Sequence, residues 1–527
     1  MASRITLKRE LRALESIIGS RGSGCFKSPM LAPDIKMRDI IISGYTSSNS
    51  NISKSCCEVV RPVNTEIIHI ELGEDMEKLN LSQKKALILG LSRRVTLIQG
   101  PPGTGKTRVA CQIIKGWSRL NFRKAIKFGH RGYENSIWKY PCLATAGSNI
   151  AVDNLAEGLS KAGLDVIRIG NGGDENSPFL LDTRAMKVLG YRGNCVRQDE
   201  LRRVQDRLLN TTDVICATCC GVGKDILKHL RFLYVLVDEA TQVTEPELLI
   251  AISRGCRQLV LVGDPCQLEP TVLSDLARKN LTVSLFDRLV QNGVPSSLLD
   301  TQYRMHPAIS EFPSSTFYGG KLKNGITSDL RQPPCGFQWP RDNWPIAYIH
   351  VESQQQFDGD SIINELEAEC VLRTLQMFLN HGIKGEDIGI ITPYKAQKRL
   401  ILKEINKRIL SKCGVEVSTV DGFQGREKEI ILLSYTRANA KLQSGFLRDW
   451  KRSNVMLTRA RRGLIVFGHQ STMMNEKVTW AHWICWAKNN GCTFEKNFNR
   501  NCYKFEYSEK KKWKALGKQH LSFRSGS

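Results

Sequence analysis

Gly100-Pro101-Pro102-Gly103-Thr104-Gly105-Lys106-Thr107 has the residue types and spacing to hold a triphosphate. Gly100, Gly103 and Gly105 let backbone N–H groups turn toward phosphate oxygens around Thr104. Lys106 then neutralises β and γ charge, and the Thr107 hydroxyl is a magnesium ligand. The match to G-x-x-x-x-G-K-[ST] follows the apolar run Val95 to Ile98 and precedes a helical stretch from Arg108 to Trp117, the strand-loop-helix setting the chemistry requires. A second apolar run, Tyr234 to Val237, ends in Asp238-Glu239-Ala240-Thr241. Asp238 supplies a carboxylate for the magnesium shell, and Glu239 a second one to polarise the attacking water. An Asp-Glu pair after an apolar run is common by itself. It gains weight from a third run, Leu259 to Val262, ending in Gly263-Asp264-Pro265-Cys266-Gln267-Leu268, where Gln267 is placed to sense the γ-phosphate.

Chemistry at the ends of apolar runs needs a scaffold of buried strands. Short Val/Ile/Leu runs recur between helical stretches: the three above, then Ile388 to Ile391, Ile430 to Leu433 and Leu464 to Phe467. Continuous apolar runs ending in Gly, Asp or Thr suit parallel strands whose C-terminal ends carry the site. The pattern is α/β and occurs twice. It predicts two tandem RecA-like P-loop NTPase domains with parallel sheets, at 79–282 and 283–472, with the boundary near Thr282. Residues 1–78 carry no nucleotide motif and read as an accessory segment, with a Ser/Asn-rich loop from Ser43 to Lys54. Residues 473–527 read as a C-terminal helix and a basic tail. Trp480, Trp483 and Trp486 mark that helix's buried face, and Lys510, Lys511, Lys512, Lys514 and Lys518 surround Trp513 in the tail.

The 527 residues exceed one core and fit two domains with appendages. Lys plus Arg number 76 against 52 Asp plus Glu, a formal charge of +24, which favours a polyanionic partner. No apolar run reaches 18 residues, and Met1 to Glu15 lacks the apolar core of a secretory signal. The expectation is no membrane and an intracellular location, cytoplasm or nucleus. The 17 Cys are an odd, scattered set, read as reduced thiols. Cys216 and Cys219 form a CxxC within an apolar run, and His482, Cys485, Cys492 and Cys502 are irregularly spaced among tryptophans. For both groups packing is a better reading than zinc.

Together Ser82-Gln83, GPPGTGKT, DEATQ, GDPCQL, Gln302-Tyr303-Arg304-Met305-His306-Pro307, Val420 to Glu427 (VDGFQGRE) and Leu457-Thr458-Arg459-Ala460-Arg461 resemble superfamily 1 helicases of the nonsense-mediated-decay and senataxin-like subgroup. The resemblance covers residues 79 to 472. It implies that Gln83 reads the adenine edge, that Tyr303 stacks on the ring and that Glu427 contacts the ribose. It also implies that Arg304 and Arg459 meet the γ-phosphate as arginine fingers. Ser148, Asn149, Thr218, Pro393 and Thr419 match positions where the family contacts the nucleic-acid backbone. For the Ser, Thr and Asn, ordinary helix capping is the competing reading. Two departures stand out: Gly147 replaces a common Pro, and the residues before Gln83 carry no paired Cys/His array like that of the nonsense-decay member.

The expected activity is therefore ATP hydrolysis with Mg2+, driving movement along single-stranded RNA, 5′ to 3′ by resemblance. The expected protein is a monomer with decay or RNA-processing partners. A DNA helicase of the same subgroup and a noncatalytic RNA clamp are the alternatives. The complete set Lys106, Glu239, Gln267, Arg304 and Arg459 argues against the clamp, which has no use for hydrolysis.

Overall fold

A computed structural model describes residues 4–18, 35–43, 54–60, 72–127, 140–170, 177–190, 197–272, 274–408, 413–439, 441 and 445–494. Its contacts divide the chain into two units, Met1–Tyr303 and Arg304–Ser527.

The first unit is built on seven parallel strands: β1 (Val95–Gln99), β2 (Cys142–Ala146), β3 (Val166–Ile169), β4 (Val214–Thr218), β5 (Tyr234–Asp238), β6 (Gln258–Gly263) and β7 (Ser296–Leu298). They lie in the order β3-β4-β2-β5-β6-β1-β7. Successive strand side chains leave opposite faces, so each continuous apolar run feeds two cores. Leu97, Val235, Val237 and Leu261 pack under the helices Arg4–Ile18, Glu245–Ile252 and Leu285–Gln291. Ile98, Leu236, Val260 and Val262 pack under Leu81–Ser92, Lys106–Lys127 and Asn149–Lys161. This is the doubly wound, two-faced sheet expected from the runs.

Two features set the extent of the first unit. Residues of the presumed accessory segment are part of the first unit's core: Ala13, Ile17, Met37, Ile40, Ile41 and Cys56 are buried in it, and Arg288 Nη2 donates to Ile41 O at 3.2 Å. Glu58 pairs with Arg94 at 3.1 Å, beside a bridge between Val59 and Arg93. The segment lacks a motif, but its spaced apolar residues cover one face of the sheet. The first compact unit runs on past Thr282 to Tyr303. Leu285, Phe286 and Leu289 join the first core, and β7 pairs with β1, Leu97 opposite Ser296. Serines in a three-residue strand leave no apolar run to reveal it.

The second unit carries five parallel strands: β8 (Ile346–His350), β9 (Ile388–Thr392), β10 (Glu416–Thr419), β11 (Lys428–Ser434) and β12 (Ala460–Gly468), in the order β8-β12-β11-β9-β10. Ile390, Leu432, Ile465 and Phe467 pack against Val371, Leu375 and Phe378 of the helix Glu365–Asn380. On the last described helix, Trp480–Asn489, Trp480 and Trp483 are buried as the spacing predicts. Trp486 is only partly covered and donates to Glu311 Oε1 at 3.2 Å. The tail lysines with Trp513, Cys502 and most of Ser43 to Lys54 lie outside the described residues. Among the described residues no helix is long and apolar enough to cross a membrane.

Candidate nucleotide site and strand-contact edge

The β1 strand ends at Gln99 and the helix Lys106–Lys127 begins at Lys106, so residues 100–105 form the loop between them. Gly103 and Gly105 have φ of 75° and 81°, left-handed values that a side chain resists. A Cβ on Gly100 would run into the Lys106 side chain, and one on Gly105 would stand 2.9 Å from Gln83 Nε2. Glycine is thus required here by close approach as well as by conformation. Thr104 is buried and its hydroxyl donates to Pro101 O at 2.7 Å, closing the turn.

Lys106 Nζ donates to Gly100 O at 2.9 Å and lies 3.7 Å from Glu239 Oε1. Thr107 Oγ1 donates to Asp238 Oδ2 at 3.2 Å. The loop is therefore brought against the end of β5, as the motifs require. Burial and then the neighbouring Glu239 push the Asp238 carboxyl up to about 6, while Lys106, the Glu239 N–H and Thr107 oppose the rise. A desolvated carboxylate beside a hydroxyl is a hard-oxygen pair that suits a small divalent cation. Glu239 sits at φ 49°, unusual for a side-chain-bearing residue, and its Oε2 accepts from Gln242 Nε2 at 3.0 Å. This left-handed turn breaks the strand and sets Glu239 apart from Asp238.

At the end of β6, Gln267 is buried and donates from Nε2 to Asp264 Oδ2 at 2.7 Å. The Asp264 main chain exchanges hydrogen bonds with Thr241 Oγ1 at 3.3 Å, tying the ends of β5 and β6 together. Asp264 organises this corner and was absent from the sequence candidates, although it lies within the same GDPCQL motif.

Gln83 caps its own helix: Oε1 accepts from Asn80 N at 3.1 Å, and Nε2 donates to Thr104 O at 3.0 Å. One donor and one acceptor position of the amide remain for adenine. Tyr303 N donates to Gly103 O at 2.8 Å, its hydroxyl accepts from Asn80 Nδ2 at 2.9 Å, and its ring is 39% exposed. Gln83 and Tyr303 are thus both anchored to the phosphate loop. Asn80, which holds both, escaped sequence reading because a helix-capping Asn has no distinctive pattern.

In the second unit, Arg304 Nε donates to Glu427 Oε2 and Nη1 to Thr458 O at 3.1 Å. Burial works to raise the Glu427 carboxyl, but Arg304 and Arg461 hold it below its ordinary value. The presumed ribose contact and the presumed finger are therefore partners of each other. Arg459 is buried, donating to Val455 O at 3.0 Å and to Thr458 Oγ1 at 2.9 Å. His306, in the same motif as Arg304, caps the helix Pro307–Phe317 through Nδ1, and burial lowers it to about 4.

The five strand-contact candidates all lie at C-terminal strand ends. Ala146, the last residue of β2, is in register with Thr218 of β4 on one side and with Asp238 of β5 on the other. Gly147, Ser148 and Asn149, which follow it, are exposed. In the second unit Thr392, preceding Pro393, is in register with Thr419. Capping also occurs: Ser148 Oγ accepts from Ala151 N at 3.2 Å, Thr218 Oγ1 from Gly221 N at 3.1 Å and Thr419 Oγ1 from Gly422 N at 3.4 Å. Pro393 is buried. Asn149 Oδ1 accepts from Arg168 Nη2 at 2.8 Å, and Arg168 Nε pairs with Asp153 at 2.8 Å. A charged residue in the apolar strand Val166–Ile169 was the available signal for this device.

Cys216 and Cys219 point to opposite faces of the first sheet, one into each core, so they cannot share an ion. Burial pushes both thiols well above their ordinary range.

Two family profiles, each described as an AAA domain, match this chain: one over residues 78–190 and 192–275, the other over 281–471. The chain is 36% identical over 453 residues to the regulator of nonsense transcripts 1 homolog of Drosophila melanogaster, covering 80% of this chain and 37% of that protein. It is 37% identical over 450 residues to the ATP-dependent helicase NAM7 of Saccharomyces cerevisiae, covering 79% and 44%. With the ATP-dependent helicase upf1 of Schizosaccharomyces pombe the identity is 36% over 458 residues, covering 81% and 48%. The chain thus spans less than half the length of these relatives.

Proposed function

We propose a function from one premise: the chain belongs to the superfamily 1 helicases of the nonsense-transcript-regulator group. It hydrolyses ATP and uses the cycle to move along a single nucleic-acid strand, with RNA as the substrate and 5′ to 3′ as the direction. The observation that carries this reading is the convergence of Lys106, Thr107, Asp238 and Glu239 at the ends of β1 and β5. Lys106 and the loop N–H groups bind the β and γ phosphates. Thr107 and Asp238 hold magnesium, which supplies charge neutralisation on the phosphates. Glu239 polarises the attacking water, Gln267 and the arginines Arg304 and Arg459 respond to the γ-phosphate, and Gln83, Tyr303 and Glu427 hold the nucleoside.

Ser148, Asn149, Thr218, Pro393 and Thr419 track the strand backbone without reading sequence. The relatives named as regulators of nonsense transcripts support a place in nonsense-mediated mRNA decay. We further propose that the protein acts in the cytoplasm, as a monomer, alongside decay factors. The test is ATP turnover stimulated in parallel by single-stranded RNA and single-stranded DNA, with an unwinding assay on a duplex bearing a 5′ overhang. Stimulation by RNA above DNA is expected. Preference for DNA would move the substrate to the DNA helicases of the subgroup, and absence of turnover with either strand would leave only the clamp.

A further inference from the structure

A cavity of about 350 Å³ opens between the helix Arg4–Ile18 and the segment that follows β4. Arg9, Arg12, Lys228, His229 and Arg254 line it, and Asp225 is the single acid among the lining residues. Arg254 is 6% exposed and its guanidinium donates to main-chain oxygens, Val222 and Lys228 at 3.3 Å and Leu227 at 3.5 Å. Arg9 Nη1 likewise donates to Cys220 O at 2.9 Å. Carbonyls orient these two guanidinium groups; Asp225 also acts on Arg254 by charge, and as the lining's single acid it leaves the cavity net positive. Arg12 and Lys228 add exposed cations at the rim.

The cavity is continuous in chain with the strand-contact edge. Gly221 N donates to Thr218 Oγ1 at 3.1 Å, and two residues on, a Cβ at Gly223 would stand 2.6 Å from Arg9 Cδ. Cys220, between Thr218 and Gly221, reaches Thr6 of the N-terminal helix, Sγ to Oγ1 at 3.2 Å. The turn that ties the Thr218 hydroxyl is thus the turn on which the basic helix rests.

We infer that this cavity is a second anion site, in which the N-terminal helix adds phosphate contacts to the strand that passes Thr218. Positioned guanidinium groups match phosphate oxygens in pairs, and the size suits one phosphate with its flanking groups. A backbone phosphate is favoured over a free one by this continuity and by the formal charge of +24. The choice of ligand rests on the proposed strand binding, whereas the anion site itself rests on the cavity alone.

The test uses the double charge reversal Arg12→Glu with Lys228→Glu, both at exposed positions so that the fold is retained. First, inorganic pyrophosphate is titrated calorimetrically into the full chain already saturated with ADP. The unaltered protein is expected to bind it, and the variant at least tenfold more weakly. No binding by the unaltered protein, or equal binding by both, overturns the anion site. Second, the affinity for a single-stranded oligonucleotide is measured against salt concentration. The variant is expected to lose about 0.7 from the log–log slope per phosphate contact removed. An unchanged slope alongside weakened pyrophosphate binding overturns the strand as ligand and assigns the cavity to a free phosphate compound. If the unaltered protein binds no single strand, the proposed function fails, while the pyrophosphate titration still decides the cavity.

Discussion

Lys106 and Glu239 face each other across the ends of β1 and β5, Nζ to Oε1 at 3.7 Å. The cation that would meet the phosphates and the carboxylate that would meet the water are thus each other's counter-charge before nucleotide arrives. A γ-phosphate that draws Lys106 away leaves Glu239 held by Gln242, with its other oxygen turned to the site.

Lys106→Ala removes the phosphate-neutralising charge from a position whose polar contacts are a carbonyl and the half-buried Glu239 carboxylate, so the fold should persist. Turnover should fall by about 10³ or more, the scale of losing a preorganised electrostatic donor. Steady-state hydrolysis alongside a melting curve checks this, and unaltered turnover would sink the phosphate-loop assignment.

Glu239→Gln keeps the shape of the side chain and removes its ability to accept a proton. ATP binding should survive while single-turnover hydrolysis slows by about 10² or more. A variant that cannot bind ATP would show that Glu239 organises the site and does not act on water.

Arg459→Ala should lower turnover by about 10³, with ATP affinity falling much less, because a finger acts mainly on developing charge. Arg459 also bonds Val455 O and Thr458 Oγ1. The melting temperature must therefore be followed too, and normal hydrolysis at saturating RNA would restore the clamp reading.

Arg168→Lys retains the charge beside Asp153 but loses the fork that also reaches Asn149. Loss of one orienting hydrogen bond, worth about 1 kcal/mol, predicts roughly fivefold weaker single-strand binding. Fluorescence anisotropy measures it, and equal affinity would mean that Asn149 needs no such support.

Glu367 is fully buried in the second unit, and burial pushes it up to about 8 despite hydrogen bonds from Ser434 Oγ and Thr436 N to Oε1. Its Oε2 has no hydrogen-bond partner, so nothing at that oxygen offsets the hydration that the charged form loses on burial. The folded chain thus holds a proton that the unfolded chain releases near its ordinary value of 4.5. The stabilisation from this group is full below 4.5 and is lost as pH rises toward 8, at about 1.4 kcal/mol per pH unit within that window. Glu367→Gln, a close mimic of the neutral acid, should flatten the pH dependence of denaturant unfolding over that range. An unchanged profile would mean that Glu367 is ionised in the fold.

Sequence reading located the sheets through the continuous apolar runs of β1, β5, β6, β9, β11 and β12, and passed over β8, whose Ile346 to Ile349 is just as apolar. Tyr234 to Val237 and Ile430 to Leu433 could only be buried on both faces. It missed β7, whose Ser296 and Ser297 join the sheet through main-chain pairing with β1. It also set aside the N-terminal residues, since Ala13, Ile17, Met37 and Cys56 acquire meaning only from the distant residues they cover. At the site, the phosphate loop and the carboxylates were legible because chemistry fixes their spacing. The supports Asn80, Asp264 and Arg168 were not, because a supporting hydrogen bond constrains geometry in space and hardly constrains sequence.

The register around Ala146 sets a distance with its own consequence. Thr218 and Asp238 flank the same residue of β2, and neighbouring strands are spaced about 4.8 Å apart. The backbone of a candidate strand contact and that of the candidate magnesium carboxylate are thus roughly 10 Å apart, joined by hydrogen bonds across one intervening strand. Under the proposed function, information about whether a strand is held need not travel through a long relay to reach the nucleotide site. A half-ångström displacement of the β2 terminus is already a large fraction of the tolerance of a catalytic geometry. Isotopic labels at Ala146 and its two neighbours would therefore serve as a local gauge of that communication.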